Sequence, residues 1–157
     1  MPSLPTVDFS AFMSDEGVVV GDEPTAAQLS CAARINEVCR DDTGFLYMTN
    51  FGITDEDVAD AFSKSAALFA LGDDEKAKLN PYDPVTNLGF SAFASEALNA
   101  RRPADLREGF KYKNNDVFDN VMRGTPAGFA ETCEGFYRKC LAAARRIAVA
   151  CALALEL

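Results

Sequence analysis

Apolar positions along the chain recur at a spacing of two in a few short stretches and at three to four in longer ones. The first predicts strands, the second helices. Leu4 to Phe9 alternates, with Val7 and Phe9 on one face, and predicts an edge strand. Residues 11–24 carry loop punctuation at Gly17, Gly21 and Pro24, and Val18 to Val20 could be a short strand inside them. A first helix starts near Thr25, where Thr25-Ala-Ala-Gln28 has the form of a capping box. Leu29, Ala32, Ile35 and Val38 follow at helical spacing, and the Arg40-Asp41-Asp42 run ends the helix. Phe45 to Thr49 is a compact apolar run between turns and predicts a buried strand.

Thr54 opens a second helix whose acidic first turn complements the helix dipole. Its expected inner stripe is Val58, Phe62, Ser65 and Phe69, with Ala61 and Leu68 beside it and Gly72 as its end. A short third helix over Asp73, Asp74 and Glu75 carries Leu79 inward, and Asn80-Pro81 stops it. Residues 80–107 read as irregular, 108–113 as a strand with Phe110 and Tyr112 on one face, and 114–124 as loop. Thr125-Pro126 is the expected start of a long last helix over about 125–157. Phe129, Cys133, Phe136, Cys140, Ala144, Ile147 and Cys151 mark its apolar positions. From Ile147 onward that helix is apolar nearly all round and carries no Gly or Asn cap. Such a helix is normally covered on every side. The short elements before it offer little to cover it, so the expectation is a partner or a further domain.

Composition narrows the function. The 157 residues are 48% hydrophobic and 25% charged, a globular balance with enough length for one core. A net charge of −9 without a local basic cluster repels a phosphate backbone, so nucleic acid is not an expected partner. The N-terminus lacks the basic start and apolar run of a signal peptide, and no apolar run is long enough for a bilayer. The expected location is cytoplasmic. The five cysteines form no CxxC pair and have no histidine near them, because the chain contains none. They read as reduced, mostly buried thiols, not zinc ligands. The acidic clusters Asp55 to Asp57 and Asp73 to Glu75 sit at helix starts, where the dipole explains them, and neighbours in sequence do not share a helix face. Lys76 and Lys78 read as exposed helix charges, and Glu108 as a solvated or salt-bridged carboxylate.

The ordered segments LPTVDFS, GFLYMTNFGI, LFALGDDEKAKL, NLGFSAFASE and DLREGF, followed by the apolar helix, run through essentially the whole chain. Together they resemble the N-terminal region of the isopenicillin N synthase-like oxygenases, non-haem Fe(II) enzymes that mostly use 2-oxoglutarate. The resemblance implies an α+β fold: a helix-rich N-terminal region, residues 1–157, with about three short strands that would join the edge of a double-stranded β-helix (jelly-roll) core absent from these residues. In the family that core holds iron through two histidines and a carboxylate and binds 2-oxoglutarate. Neither cofactor is expected on this chain, and no catalytic or metal residue is assigned to it.

Phe51 stands where the family usually has a histidine that is not an iron ligand, and Gly72 where proline is usual. Asn87, Phe90 and Ser91 match a segment that lines the substrate mouth in several members, and Phe110 and Tyr112 match a strand bordering the pocket. These five are the substrate-pocket candidates implied by the resemblance. Phe90, Phe110 and Tyr112 also suit ordinary core packing, and Asn87 a turn. The implied partner is the jelly-roll core, in cis or in trans, with a small-molecule substrate only in the full enzyme. The alternative is a non-catalytic binding module that pairs with an oxygenase core or with itself.

Overall fold

A computed structural model of the chain describes residues 4–13, 23–41, 44–97, 101–113 and 115–157. The possible strand at Val18 to Val20 lies outside them. The chain divides into two compact units, one of residues 1–57 with 138–157, the other of residues 58–137.

In the first unit, strand β1 (Thr6–Asp8) pairs in parallel with β2 (Tyr47–Thr49), Val7 opposite Met48. The alternation read from the sequence holds here, since Val7 and Phe9 are buried while Thr6 and Asp8 face out. A single 3-10 turn, Ser10–Phe12, then buries Phe12. Helix α1 (Ala26–Asp41) is closed at its start by the expected capping box. The Thr25 amide donates to Gln28 Oε1 at 2.9 Å, and the Gln28 amide donates to Thr25 Oγ1 at 3.3 Å. Ala32, Ile35 and Val38 are buried as their spacing predicts, but Leu29 is half exposed. Val7, Phe9, Phe12 and Ile35 join Ala150 and Ala154 of helix α5 (Phe129–Ala154) in one core cluster.

The second strand departs from expectation. It is shorter than the apolar run, and Phe45 is 70% and Tyr47 62% exposed. A parallel pair with one open face is unusual, because parallel sheets are normally covered on both sides. The run presents an apolar surface that the described residues of this unit leave open. The last turns of α5 behave similarly. Their buried face is a narrow stripe of Ala143, Ala150 and Ala154, while Leu141, Cys151 and Leu155 are exposed. The helix does close, without glycine: Glu156 takes φ 59°, the Leu157 amide donates to the Ala152 carbonyl and the Glu156 amide to that of Leu153. That is a Schellman motif. Asn36 Nδ2 donates to the Ala154 carbonyl at 2.7 Å, satisfying another terminal acceptor.

The second unit takes most of helix α2 (Asp55–Phe69), the one-turn α3 (Asp73–Lys76), strands β3 (Gly89–Ser91) and β4 (Gly109–Lys111), the one-turn α4 (Phe118–Val121) and the start of α5. β3 and α4 fall in stretches the sequence predicts as irregular, so four strands form among the described residues where about three were expected. The inner face of α2 is rotated from the predicted stripe. Leu68 is fully buried, whereas Phe62 is 74% exposed. Leu68 packs with Leu79, Phe118, Met122, Phe129 and Cys133. Thr125 does not cap α5; its hydroxyl donates to the Met122 carbonyl at 2.8 Å, and the helix begins at Phe129.

Candidate functional site

The site candidates gather on the β3–β4 ribbon of the second unit. β3 and β4 are antiparallel, with Phe90 directly opposite Phe110 and Ser91 opposite Gly109. Side chains at opposed positions share a sheet face. Phe90, Phe110 and, two residues on, Tyr112 therefore line one side, which packs on the Leu68 cluster.

Asn87 shapes the approach to β3. It adopts φ 59°, its amide donates to the Asp83 carbonyl at 2.8 Å and its Oδ1 accepts from the Tyr82 hydroxyl at 3.0 Å. Its neighbour Gly89, at φ 105°, brings the backbone so close to Pro81 that a Cβ would lie 2.4 Å from the Pro81 carbonyl oxygen. Both residues hold a tight crossing of main chain.

Ser91 faces the other side of the ribbon and is buried. Its hydroxyl donates to Glu96 Oε1 at 2.6 Å. Glu96 also accepts from Arg107 and from Lys111, the latter at 3.4 Å. The Ser91 hydrogen bond, followed by Lys111 and the Arg107 charge, holds the Glu96 carboxyl below its usual range. Lys111 in turn lies 4.4 Å above the Tyr82 ring, a cation–π contact. This network fastens the segment after β3 to β4.

The three aromatic candidates fall into two cavities. Phe110 and Tyr112 line a slot of about 230 Å³ with Phe69, Phe129 and Phe136. Phe110 meets Phe129 edge to face at 5.5 Å, and Tyr112 meets Phe118 at 6.0 Å. The Tyr112 hydroxyl donates to the Cys133 carbonyl at 3.3 Å. The Cys133 thiol is buried there, and burial pushes its pKa up, so it is a poor nucleophile. Phe90 lines a broader groove of about 590 Å³ with Leu79, Pro81, Phe93, Lys76 and Glu108. Lys76 corrects the reading of an exposed helix charge. Its ammonium lies 3.0 Å from Glu108 Oε2, with both side chains mostly covered. The salt-bridged reading of Glu108 holds. Lys64, which also lines the aromatic slot, was given no role by its sequence. An acidic or neutral neighbour at helical spacing does not show which lysine will lack a carboxylate in the fold.

The donors of this chain do not fit a site with two histidines and a carboxylate. There is no histidine, and among the described residues no group of three or more Cys, Asp or Glu is placed to hold a metal ion. No helix among them is long and apolar enough to cross a membrane.

A helical frame carrying two short two-stranded sheets defines a fold of α+β class. Residues 4–127 match the family described as the N-terminal of non-haem dioxygenase in morphine synthesis, and the chain belongs to that family. The fold is also that of a full-length protein of Neurospora crassa, crystallised in complex with alpha-KG (24% identity, TM-score 0.69) and with alpha-KG and thymine (23% identity, TM-score 0.69). The likeness covers 98% of this chain in both cases, but 47% and 49% of those chains, so it spans about half their length. No curated protein matches the chain significantly.

Proposed function

We propose that this chain is the N-terminal domain of an Fe(II)/2-oxoglutarate-dependent oxygenase, bracing a jelly-roll core and shaping the approach to its substrate. The observation that carries this reading is the family match over residues 4–127 together with a fold shared with one half of a longer chain bound to alpha-KG. The iron belongs to that core, since the donors here do not fit two histidines and a carboxylate, and 2-oxoglutarate binds beside it there. Residues 1–157 act as one N-terminal domain, and the core is joined to it in cis. Phe90, Phe110 and Tyr112 border the substrate entrance, while Asn87 and Ser91 hold the β3–β4 ribbon in shape. The exposed Phe45 and Tyr47 and the exposed side of α5 supply apolar surface for the core to cover. Five free thiols suit a reducing, cytoplasmic setting.

The test has two parts. The 157-residue chain, given Fe(II) and 2-oxoglutarate, is expected to form no succinate and retain no stoichiometric iron. The reading frame beyond Leu157 is expected to encode a His-x-Asp pair and a distant histidine. Succinate formation by the chain itself would remove the proposal. An unrelated downstream sequence would favour a binding module that acts in trans.

A further inference from the structure

The geometry points to a ligand site within this chain: the aromatic slot binds a small aryl carboxylate, with the Lys64 ammonium as its counter-ion. The slot shares Phe110 and Tyr112 with the substrate-entry reading, but the proposal concerns binding by these residues alone and needs no iron or turnover.

The argument starts from charge. Among the described residues, Lys64 is the one charged side chain lining the slot. It is half-buried, and among the described residues it makes no ion pair. Lys78 and Lys113 also meet no carboxylate among the described residues, but both are exposed, whereas Lys64 is partly covered at an apolar slot. Lys139, by comparison, is paired with Asp57, Lys76 with Glu108 and Lys111 with Glu96. A half-covered ammonium beside apolar walls gains most from an anion that also fills those walls.

The other polar groups of the lining are already engaged. Ser65 Oγ donates to the Ala61 carbonyl at 2.8 Å, Thr132 Oγ1 donates to Asp60 Oδ2 at 2.7 Å, and Tyr112 is held by Cys133. Lys64 Nζ is therefore the charged donor of the lining left for a ligand, the Asp60 carboxylate beside Thr132 being occupied by that hydroxyl. Space beside it is kept by Gly128, where a Cβ would stand 2.9 Å from Nζ.

The walls set the rest. Phe69, Phe110, Tyr112, Phe129 and Phe136 surround the slot, and edge-to-face contacts such as Phe110–Phe129 are the arrangement an added ring extends. A volume of about 230 Å³ lies below the roughly 300 Å³ where drug-sized ligand sites begin, which limits the occupant to one ring with a short acid arm. A single ammonium, with no arginine fork, suits a monoanionic carboxylate better than a phosphate.

The probe is phenylacetate, titrated into the 157-residue chain and followed by heteronuclear NMR. Phenethylamine and 2-phenylethanol serve as controls of equal size and different charge. Phenylacetate is expected to give saturable shifts at Phe110, Tyr112 and Phe129 and to bind about tenfold or more tightly than either control. Lys64→Gln should abolish that preference while leaving the rest of the spectrum folded, and Lys64→Arg should keep most of it. No saturable binding, equal binding of all three probes, shifts centred elsewhere, or an unchanged preference in Lys64→Gln would each overturn the proposal. The last outcome would leave Lys64 merely laying its stem along apolar surface. A failure here leaves the oxygenase reading standing, because that reading is decided by turnover and by the downstream sequence.

Discussion

Lys76 and Glu108, distant in sequence, meet in an ion pair with Nζ 3.1 Å from Oε1 and 3.0 Å from Oε2. It ties the end of α3 to the entry of β4 and forms the polar part of the groove lined by Phe90. The Lys76 side chain is 17% exposed and that of Glu108 23%, so water screens the pair only partly.

Lys76→Met leaves the Glu108 carboxylate without its cation in a largely covered place. The expected loss is about 1–3 kcal/mol. Replacing both, as Lys76→Met with Glu108→Leu, should recover part of it, because two apolar side chains avoid the desolvation of a lone charge. Urea unfolding of the two single variants and the double variant measures the coupling directly. Strictly additive losses would show that the two residues do not support each other.

Acid stability should depend on Asp57. Lys139 donates to its Oδ1, and the Thr54 amide donates to its Oδ2 at 3.0 Å, while the Asp57 amide donates back to Thr54 Oγ1 at 3.2 Å. The Lys139 contact first, and the Thr54 amide second, lower its pKa from 3.8 to about 2. A depressed carboxylate stabilises the fold above its unfolded pKa and loses that contribution as pH falls through the folded value. The stabilisation is thus complete above about pH 4 and fades toward about pH 2. Asp57→Asn should flatten the fall of the urea midpoint across that window. It should not remove it, since the Asp8, Asp83 and Glu96 carboxyls are also held low by their hydrogen bonds. An identical slope in the variant would count against the Lys139 and Thr54 contacts.

Two glycines should respond in opposite directions to alanine. At Gly89 the new Cβ meets main-chain carbonyl atoms at φ 105°, so Gly89→Ala should cost about 2 kcal/mol or more and loosen the β3–β4 ribbon. At Gly135, exposed within α5, a Cβ meets nothing within 4 Å. Gly135→Ala should stabilise by about 0.5–1 kcal/mol, since alanine has less backbone freedom to lose. Thermal unfolding of both variants decides it; equal effects would contradict the crowding at Pro81.

Much of the fold was legible because it rests on neighbours in sequence. The Thr25–Gln28 capping box spans a single helical turn, and the alternation that buries Val7 and Phe9 spans three residues. The ordered segments also carried the family. The aromatic candidates Phe110 and Tyr112 were legible as one face of a strand, and they do share a cavity. The β3 strand was not, since its three residues become a strand only through pairing with Phe110 and its neighbours. The exposure of Phe62, Phe45 and Tyr47 was likewise hidden, because apolar spacing marks a face without stating what covers it.

The sequence by itself determined the longer helices, the caps at Thr25 and Thr54, the absence of histidine and the family, all properties of composition or of contacts within a turn or two. Only the tertiary structure decided that Lys76 meets Glu108 while Lys64 meets no carboxylate among the described residues, and that Phe110 and Tyr112 close a slot with Phe129. Those outcomes depend on which distant segments are brought together, and a side chain's charge or bulk does not encode its partner.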